Sequence, residues 1–303
     1  MQGRKYLVYD VFTQERLAGN PLAVVLDSQG LDTAAMQRIA REFNLSETVF
    51  VAPPQNPKHK ARLRIFAPDH EMPFAGHPTV GTAIALAELQ PADGTDRIFV
   101  LEENIGPVRC AISRTDAGVF AEFDLPELPQ AQELAVEPEV VGAALGLGPH
   151  EIGFENHRVG LWSAGVPYLT VPVSGLEAIG RARLDNPAWA EFSPQLTGGK
   201  AANAYLYTRD TVHHDSSFHA RMFVAGELSY EDPATGSAAA ALTGAIWRFD
   251  ELAEGPTRIW IEQGMEMGRP SRIGLEIDVD GGKMITARIG GNAVKVAEGL
   301  LFS

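Results

Sequence analysis

Cysteine is almost missing from this chain, with Cys110 alone among 303 residues. A single cysteine cannot form an intrachain disulfide, and it excludes the paired cysteines of zinc and redox motifs, which fits a reducing compartment. Cys110 lies in an apolar alternating stretch without a His or Asp neighbour to activate the thiol. We therefore interpret it as a small core residue rather than a nucleophile.

Basic residues are also scarce, because 25 Lys and Arg face 39 Asp and Glu and give a formal net charge of −14. Such a chain repels phosphate backbones and anionic membrane surfaces, so we expect no nucleic-acid or membrane partner. Long hydrophobic runs are missing too, and the first residues lack the apolar core of a signal peptide. The sequence therefore predicts a cytoplasmic protein that acts on a small molecule.

The common cofactor motifs do not occur. The sequence has no GxGxxG, GxxxxGK[ST], GxSxG or HExxH pattern, so it offers no support for a dinucleotide, a nucleotide phosphate, an esterase elbow or a metalloprotease site. One polar segment, 213–219, contains His213, His214, Asp215 and His219. Their irregular spacing favours a polar loop before a strand, so we expect no metal and no cofactor.

The length favours two medium domains, and a proline-rich acidic stretch between residues 125 and 138 is typical of a connection between them. We place the domains at 1–128 and 129–303. The chain opens with two strands, 6–12 and 22–26, joined by turn residues, and later has an Ala-rich helix over 79–89 with Pro78 in its first turn.

Two segments share the order strand, acidic loop, glycine and Ala-rich helix. The second begins at Arg221, 157 residues after Arg64 (221 minus 64), a distance that indicates a duplicated domain rather than a short repeat. At the start of each helix, backbone N–H groups without helical partners favour an anion, and Gly76 and Gly236 allow close approach. A small carboxylic acid is the expected ligand.

Titratable and polar groups accompany these loops. We expect His77 and Asp232 to occupy corresponding places beside the two anion sites, with Thr235 and Ser237 nearby. For either loop alone, a plain turn and a helix capped by Asp232, Thr235 or Ser237 explain the residues equally well. The occurrence of both in similar segments favours a functional site.

Glu47 stands between a predicted helix and the apolar strand 48–52. A carboxyl group at a strand edge and partly enclosed could take up and return a proton near neutral pH. A surface glutamate in a turn is the alternative that the local sequence leaves open.

The chain resembles the phenazine-biosynthesis PhzF-like isomerases, relatives of diaminopimelate epimerase, over nearly its whole length. The segments that carry the resemblance are GNPLAVV from Gly19, NLSETVFV from Asn44, RIFAPDHEMPFAGHPTVGTA from Arg64, EDPATGSAAAAL from Glu231 and GGNAVKVAEGLL from Gly290.

The resemblance implies an α+β fold with two similar lobes, each a mixed β-sheet curled around a central α-helix, and an active site in the cleft. It further suggests that the last strand, about residues 293–303, returns to the N-terminal lobe and that the protein is a homodimer. Glu47 becomes the proton shuttle, and His77, Asp232 and Ser237 bind and polarise the substrate. Asn20, which lies in the first shared segment, joins Gly76, Thr235 and Gly236 among the substrate-binding residues.

Where the epimerases place two catalytic cysteines, this sequence has Ala75 and Ala234, so racemisation by two thiols is excluded. The sequence instead predicts a cofactor-independent isomerase that moves a proton with Glu47 alone, on a carboxylated metabolite such as trans-2,3-dihydro-3-hydroxyanthranilate. A binding protein on the same fold without catalysis is the alternative from another class. A hydrolase or lyase with Asp232 as its base is the second.

Overall fold

The computed structural model describes residues 3–91, 96–115, 118–134, 136–197, 201–226 and 229–302. They form two compact units. Unit 1 contains the chain up to Asp124 together with the segment from Gly290 onward, and unit 2 contains Leu125–Ile289. The strand β17 (Lys283–Leu301) passes from one unit into the other.

Unit 1 contains both helices and strands of the first part of the chain. Its elements are β1 (Arg4–Val11), β2 (Asn20–Val25), α1 (Thr33–Phe43), β3 (Glu47–Ala52), β4 (Ala61–Phe66), β5 (Glu71–Met72), α2 (Gly76–Glu88), β6 (Arg97–Glu103), β7 (Gly106–Thr115) and β8 (Gly118–Asp124). The predicted opening pair of strands is confirmed, since β1 and β2 are antiparallel neighbours.

The strands of unit 1 form a closed ring. The pairings run from β1 through β2, β3, β4, β6, β7 and β8. β8 then pairs with β17, which pairs with β1 and returns the ring to its start. Parallel pairs, β2 with β3 and β4 with β6, alternate with antiparallel ones, so the sheet is mixed.

Helix α2 packs against strands of this ring, namely β1, β2, β3, β6, β7 and β8. Every residue from Gly76 to Ala87 is buried, which explains the apolar, Ala-rich composition of the segment. The approach is close at Gly81, where an added Cβ would lie 2.6 Å from a methyl of Val11 and 2.7 Å from one of Leu22. A larger residue at this position would push the helix away from β1 and β2.

Unit 2 repeats the arrangement. Its elements are β9 (Gln130–Gln132), α3 (Pro138–Ala144), a 3₁₀ turn (Pro149–Glu151), β10 (Gly160–Ser163), β11 (Pro167–Pro172), α4 (Leu176–Arg181), α5 (Asn186–Leu196), β12 (Asn203–Thr208), β13 (Phe218–Val224), β14 (Tyr230–Asp232), α6 (Gly236–Phe249), β15 (Gly255–Gln263) and β16 (Ser271–Asp280). Helix α6 is buried over most of its length and packs against β9, β10, β11 and β16.

The strand directions in the two units follow the same order. In unit 1, β1 to β7 alternate antiparallel and parallel pairs, and in unit 2, β10 to β16 do the same. The register agrees as well, since Arg62 faces Glu102 in the parallel pair of unit 1 and His219 faces Glu262 in that of unit 2. Both carboxylates accept two backbone N–H groups and a histidine Nδ1.

Candidate functional site

Glu47 and His77 meet inside unit 1. Glu47 is the first residue of β3 and pairs with Leu22 of β2, whereas His77 is the second residue of α2. Oε2 of Glu47 lies 3.2 Å from Nε2 of His77, and the two side chains are only 15% and 5% exposed. Glu47 is therefore not the surface residue that the local sequence also allowed.

The imidazole of His77 is neutral at physiological pH. Burial lowers its pKa to about 3, against the opposing effect of a hydrogen bond to the backbone of Pro21. Proline has no N–H, so the ring must donate to the Pro21 carbonyl. Because Nε2 lies beside Glu47, the donating atom is Nδ1, which leaves a lone pair on Nε2. The 3.2 Å contact between Nε2 and Oε2 does not itself have hydrogen-bond geometry.

The contact between Glu47 and His77 determines which of the two side chains can carry a proton. Two acceptor atoms that face each other repel, whereas a carboxyl group that carries a proton can donate it to Nε2 of His77. The imidazole does not hold the proton itself, since its pKa lies far below neutrality. Nε2 is therefore an acceptor within 3.2 Å of the Glu47 carboxyl group, which a protonated Glu47 can use once the two groups align.

The other predicted residues of unit 1 lie in the same region. Asn20 is fully buried at the start of β2, next to the Pro21 carbonyl that holds His77. Gly76 begins α2, whose N-cap residue Ala75 has no side chain with which to cap the helix, and no capping hydrogen bond from a described side chain occurs there. Helix α1, in contrast, is capped by Asp32. The first turn of α2 thus keeps N–H groups available to an anion.

Unit 2 holds Asp232, Thr235, Gly236 and Ser237 together. Asp232 ends β14 and Gly236 begins α6, whose N-cap is Thr235. The hydroxyl of Thr235 donates to Oδ2 of Asp232, and its oxygen accepts no N–H group from the first turn of α6. The capping role that the sequence also allowed for Thr235 is therefore not what the structure shows.

The expected correspondence between His77 and Asp232 is wrong. Glu71 and Met72 pair with β4 as Glu231 and Asp232 pair with β13, so Asp232 corresponds to Met72. His77, the second residue of α2, corresponds instead to Ser237, the second residue of α6. Met72 and Asp232 both stand four positions before the glycine that begins the helix, so an alignment of the sequence on Gly76 and Gly236 already gives this correspondence.

Two further residues contact this site in unit 2. The hydroxyl of Tyr168 in β11 lies 2.7 Å from Oγ of Ser237. Gln263, the last residue of β15, contacts both Asp232 and Thr235. Sequence reasoning missed both, since each is distant in the chain, and the one local signal is a polar Gln263 that ends an apolar strand before a glycine.

The polar segment considered as a metal site has another role. His219 is buried between the carboxylates of Glu262 and Glu266, with Nδ1 and Nε2 at 2.8 and 2.9 Å from them. Burial alone would lower the pKa of His219, but its hydrogen bonds to Glu262 and Glu266 raise it to about 9. Glu262 also accepts the backbone N–H groups of Val212 and His213, so His219 belongs to an ionic network that fixes the loop before β13.

Comparison with known proteins identifies the family. The family model described as phenazine biosynthesis-like protein, PhzC-PhzF, matches residues 9–299. The chain belongs to this family. Among the phenazine biosynthesis-like proteins, an uncharacterized isomerase of Mesorhizobium japonicum is 68% identical over 302 residues, which cover 100% of both chains.

Other members show the same relationship. The trans-2,3-dihydro-3-hydroxyanthranilate isomerase of Pseudomonas aeruginosa is 37% identical over 97% of this chain and 98% of its own. The crystal structure of a phenazine biosynthesis protein of the PhzF family from Bacillus anthracis superposes with a TM-score of 0.89, at 27% identity and full coverage of both chains. The chain is an isomerase of this family with its mixed-sheet, barrel-like fold. None of the described helices has the length and apolar character that crossing a membrane requires.

Proposed function

We propose that this isomerase moves a proton between two carbons of a small, unsaturated, carboxylated ring, with Glu47 as acid and base. The observation that carries the proposal is the buried contact between Glu47 and His77. Its support from relatives is the 37% identity to a trans-2,3-dihydro-3-hydroxyanthranilate isomerase. We therefore take trans-2,3-dihydro-3-hydroxyanthranilate as the substrate to test first.

In this mechanism the ionised carboxylate of Glu47 removes a proton from a carbon activated by the neighbouring unsaturation, and the electron pair moves into the conjugated system. The new O–H of Glu47 donates to Nε2 of His77 while the intermediate exists. The proton on Glu47 can exchange with solvent before Glu47 delivers a proton to another carbon, so no atom is gained or lost. His77 does not trap the proton, since burial lowers its pKa to about 3.

The substrate carboxylate is proposed to bind at helix N-termini. The first turns of α2, at Gly76, and of α6, at Gly236, are not capped by described side chains. N–H groups without partners and the helix dipole stabilise an anion there. Asn20, which is buried beside the Pro21 carbonyl, is proposed to contact the ligand as well.

Asp232, Thr235 and Ser237 are proposed to serve the same reaction. The Asp232 carboxylate is held by the Thr235 hydroxyl, and the Ser237 hydroxyl pairs with Tyr168. Groups fixed in this way can stabilise charge that develops in a transition state without reorganising. A reaction without a cofactor, a homodimer and a cytoplasmic location remain predictions that rest on the family resemblance and the composition.

The proposal is tested by proton exchange in deuterated water, followed by NMR on trans-2,3-dihydro-3-hydroxyanthranilate and a panel of unsaturated or 3-hydroxy cyclic carboxylic acids. Wild type is compared with Glu47→Gln and with the control Glu42→Gln, an exposed glutamate of α1. We expect exchange with wild type and Glu42→Gln and none above background with Glu47→Gln. Exchange that survives in Glu47→Gln overturns the assignment, and saturable binding without exchange by wild type points to a binding protein.

A further inference from the structure

We propose that Gln263 is the positioning residue for Asp232, and that its side-chain amide fixes the orientation of the Asp232 carboxylate and of the first turn of α6. The inference rests on the proposed function of Asp232. It starts from the contacts of Gln263, which is 0% exposed although its side chain is polar.

The amide of Gln263 uses every hydrogen-bonding group that it has. Nε2 donates to the backbone carbonyl of Asp232 at 2.8 Å and to Oγ1 of Thr235 at 3.2 Å. Oε1 accepts the backbone N–H of Thr235 and the hydroxyl of Tyr205, each at 3.3 Å. An amide offers two donors and two strong acceptor positions, so the side chain is fully satisfied.

The orientation of this amide is determined by its partners. The Asp232 carbonyl can only accept, and the Thr235 N–H can only donate, so Nε2 must face the former and Oε1 the latter. The interaction continues to the site, because Oγ1 of Thr235 accepts from Nε2 and donates its own proton to Oδ2 of Asp232. One side chain therefore controls both the backbone and, through Thr235, the carboxylate of Asp232.

The residue after Gln263 also lies against the loop that contains Asp232. Gly264 has φ +80°, and an added Cβ would lie 2.6 Å from the Pro233 carbonyl oxygen and 2.4 Å from that of Arg269. The chain at 263–264 thus lies directly against the loop that joins Asp232 to α6. A buried polar group costs free energy unless it is paired, so the Gln263 amide is stable in this buried position only with its four hydrogen bonds.

The geometry gives Gln263 a function that an apolar residue of the same length cannot supply. Gln263→Met keeps the volume but loses all four hydrogen bonds. Gln263→Glu keeps the shape, and when its carboxyl group is protonated it can still donate to the Asp232 carbonyl. Its ionised form loses that donor and places a charge against a carbonyl oxygen, so the effect of this variant must grow as pH rises.

The experiment compares wild type, Gln263→Met, Gln263→Glu and the control Gln195→Met, an exposed glutamine of α5, as full-length chains whose folding is checked by circular dichroism. The activity-independent readout is hydrogen exchange of the Thr235 amide by NMR. The second is kcat and KM for proton exchange on trans-2,3-dihydro-3-hydroxyanthranilate. We expect Gln263→Met to speed hydrogen exchange of the Thr235 amide at least about tenfold, the factor that corresponds to the loss of one hydrogen bond. We also expect it to lower kcat about 10- to 100-fold with a smaller change in KM.

The kcat of Gln263→Glu is expected to approach that of wild type at low pH and to fall as pH rises. The kcat of wild type should not show this fall. If Gln263→Met has the same Thr235 exchange rate and the same kcat as wild type, the inference is overturned. If Gln263→Met does not fold, the pH profile of Gln263→Glu decides, and a profile parallel to wild type overturns it. If wild type shows no turnover, the proposed function fails, whereas Thr235 exchange still tests whether Gln263 positions the loop.

Discussion

Nε2 of His77 lies 3.2 Å from Oε2 of Glu47, and the same ring is bound from its other side by the Pro21 carbonyl. His77 is thus held between a strand that begins with Asn20 and one that begins with Glu47. The position of the imidazole follows from the pairing of β2 and β3, and its protonation state follows from its burial.

Acid should destabilise the protein through His77. Its folded pKa, about 3, lies below the ordinary 6.5, so below pH 6.5 the unfolded chain binds a proton that the folded chain excludes. The stability from this group is complete above pH 6.5 and is lost as pH falls toward 3, by up to about 1.4 kcal/mol per pH unit. Urea unfolding at pH 7 and pH 5 should show a smaller difference for His77→Gln than for wild type. The exposed control His70→Gln should keep the wild-type difference, and equal pH slopes for all three proteins would contradict the prediction.

Alkaline pH should destabilise the protein through Glu103. Burial raises its pKa to about 8, despite a hydrogen bond from Thr79 that lowers it. The folded chain therefore holds a proton that the unfolded chain releases, and the stability from this group, present below pH 4.5, is lost as pH rises through 8. Glu103→Gln removes the ionisation and should have a higher free energy of unfolding than wild type at pH 8.5, with a smaller gain at pH 5. Guanidinium unfolding at both pH values measures this, and Glu42→Gln is expected to show no such gain.

Two equivalent ion pairs should differ in their contribution to stability. Arg221 is 2% exposed and binds both oxygens of Glu231 as well as backbone carbonyls within residues 179–182. Arg64 and Glu71 make the same bidentate contact, but both are 22% exposed. Arg221→Met should lower the free energy of unfolding by about 3–5 kcal/mol, because the partly buried carboxylate of Glu231 and three backbone carbonyls lose their donor. Arg64→Met should cost about 1 kcal/mol or less.

The two arginine variants are compared by chemical unfolding at pH 7. The double variant Arg221→Met with Glu231→Met should recover part of the loss, since it leaves no unpaired charge. Equal losses for Arg221→Met and Arg64→Met would show that burial does not set the difference.

The packing of α2 against β1 and β2 should be sensitive to one methyl group. Gly81→Ala places a Cβ within 2.7 Å of side-chain methyls of both Val11 and Leu22, which requires the core to move and should cost about 1–3 kcal/mol. Gly180→Ala in α4 is the matched control, because its nearest neighbour lies 3.9 Å away. The melting temperatures of the two variants give the comparison, and a Gly81→Ala protein as stable as Gly180→Ala would refute the packing argument.

The sequence predicted the secondary-structure elements better than the contacts between them. The helix expected over 79–89 is present but spans Gly76–Glu88, and Pro78 lies in its first turn as predicted. The burial of α2 agrees with its Ala-rich composition, since a helix without a polar face must be enclosed. Short elements such as β5, β9 and β14, and the helices α3 and α4, were not predicted, since they are too short for a periodic signal.

The site residues were predictable to different degrees. Glu47 was located at the start of a strand from local sequence, yet its burial depends on His77, which is thirty positions further along the chain (77 minus 47). Gln263 and Tyr168 could not be identified, because their importance arises only from strand pairings that bring them to Thr235 and Ser237. Contacts between segments distant in the sequence carry no local pattern, which is why the resemblance to a family supplied more than periodicity did.

The ring of unit 1 also has a consequence for synthesis in the cell. Its last partner, β17, pairs with β1 from Arg4↔Leu301 to Val11↔Ala293, so a nascent chain cannot complete the ring until residues 293–301 have been translated. Unit 2 lies between Asp124 and Gly290 and can acquire its own contacts earlier. During translation β1 and β8 therefore each have an unpaired edge. A chain that terminates before residue 290 would keep these edges exposed to aggregation or to degradation by proteases.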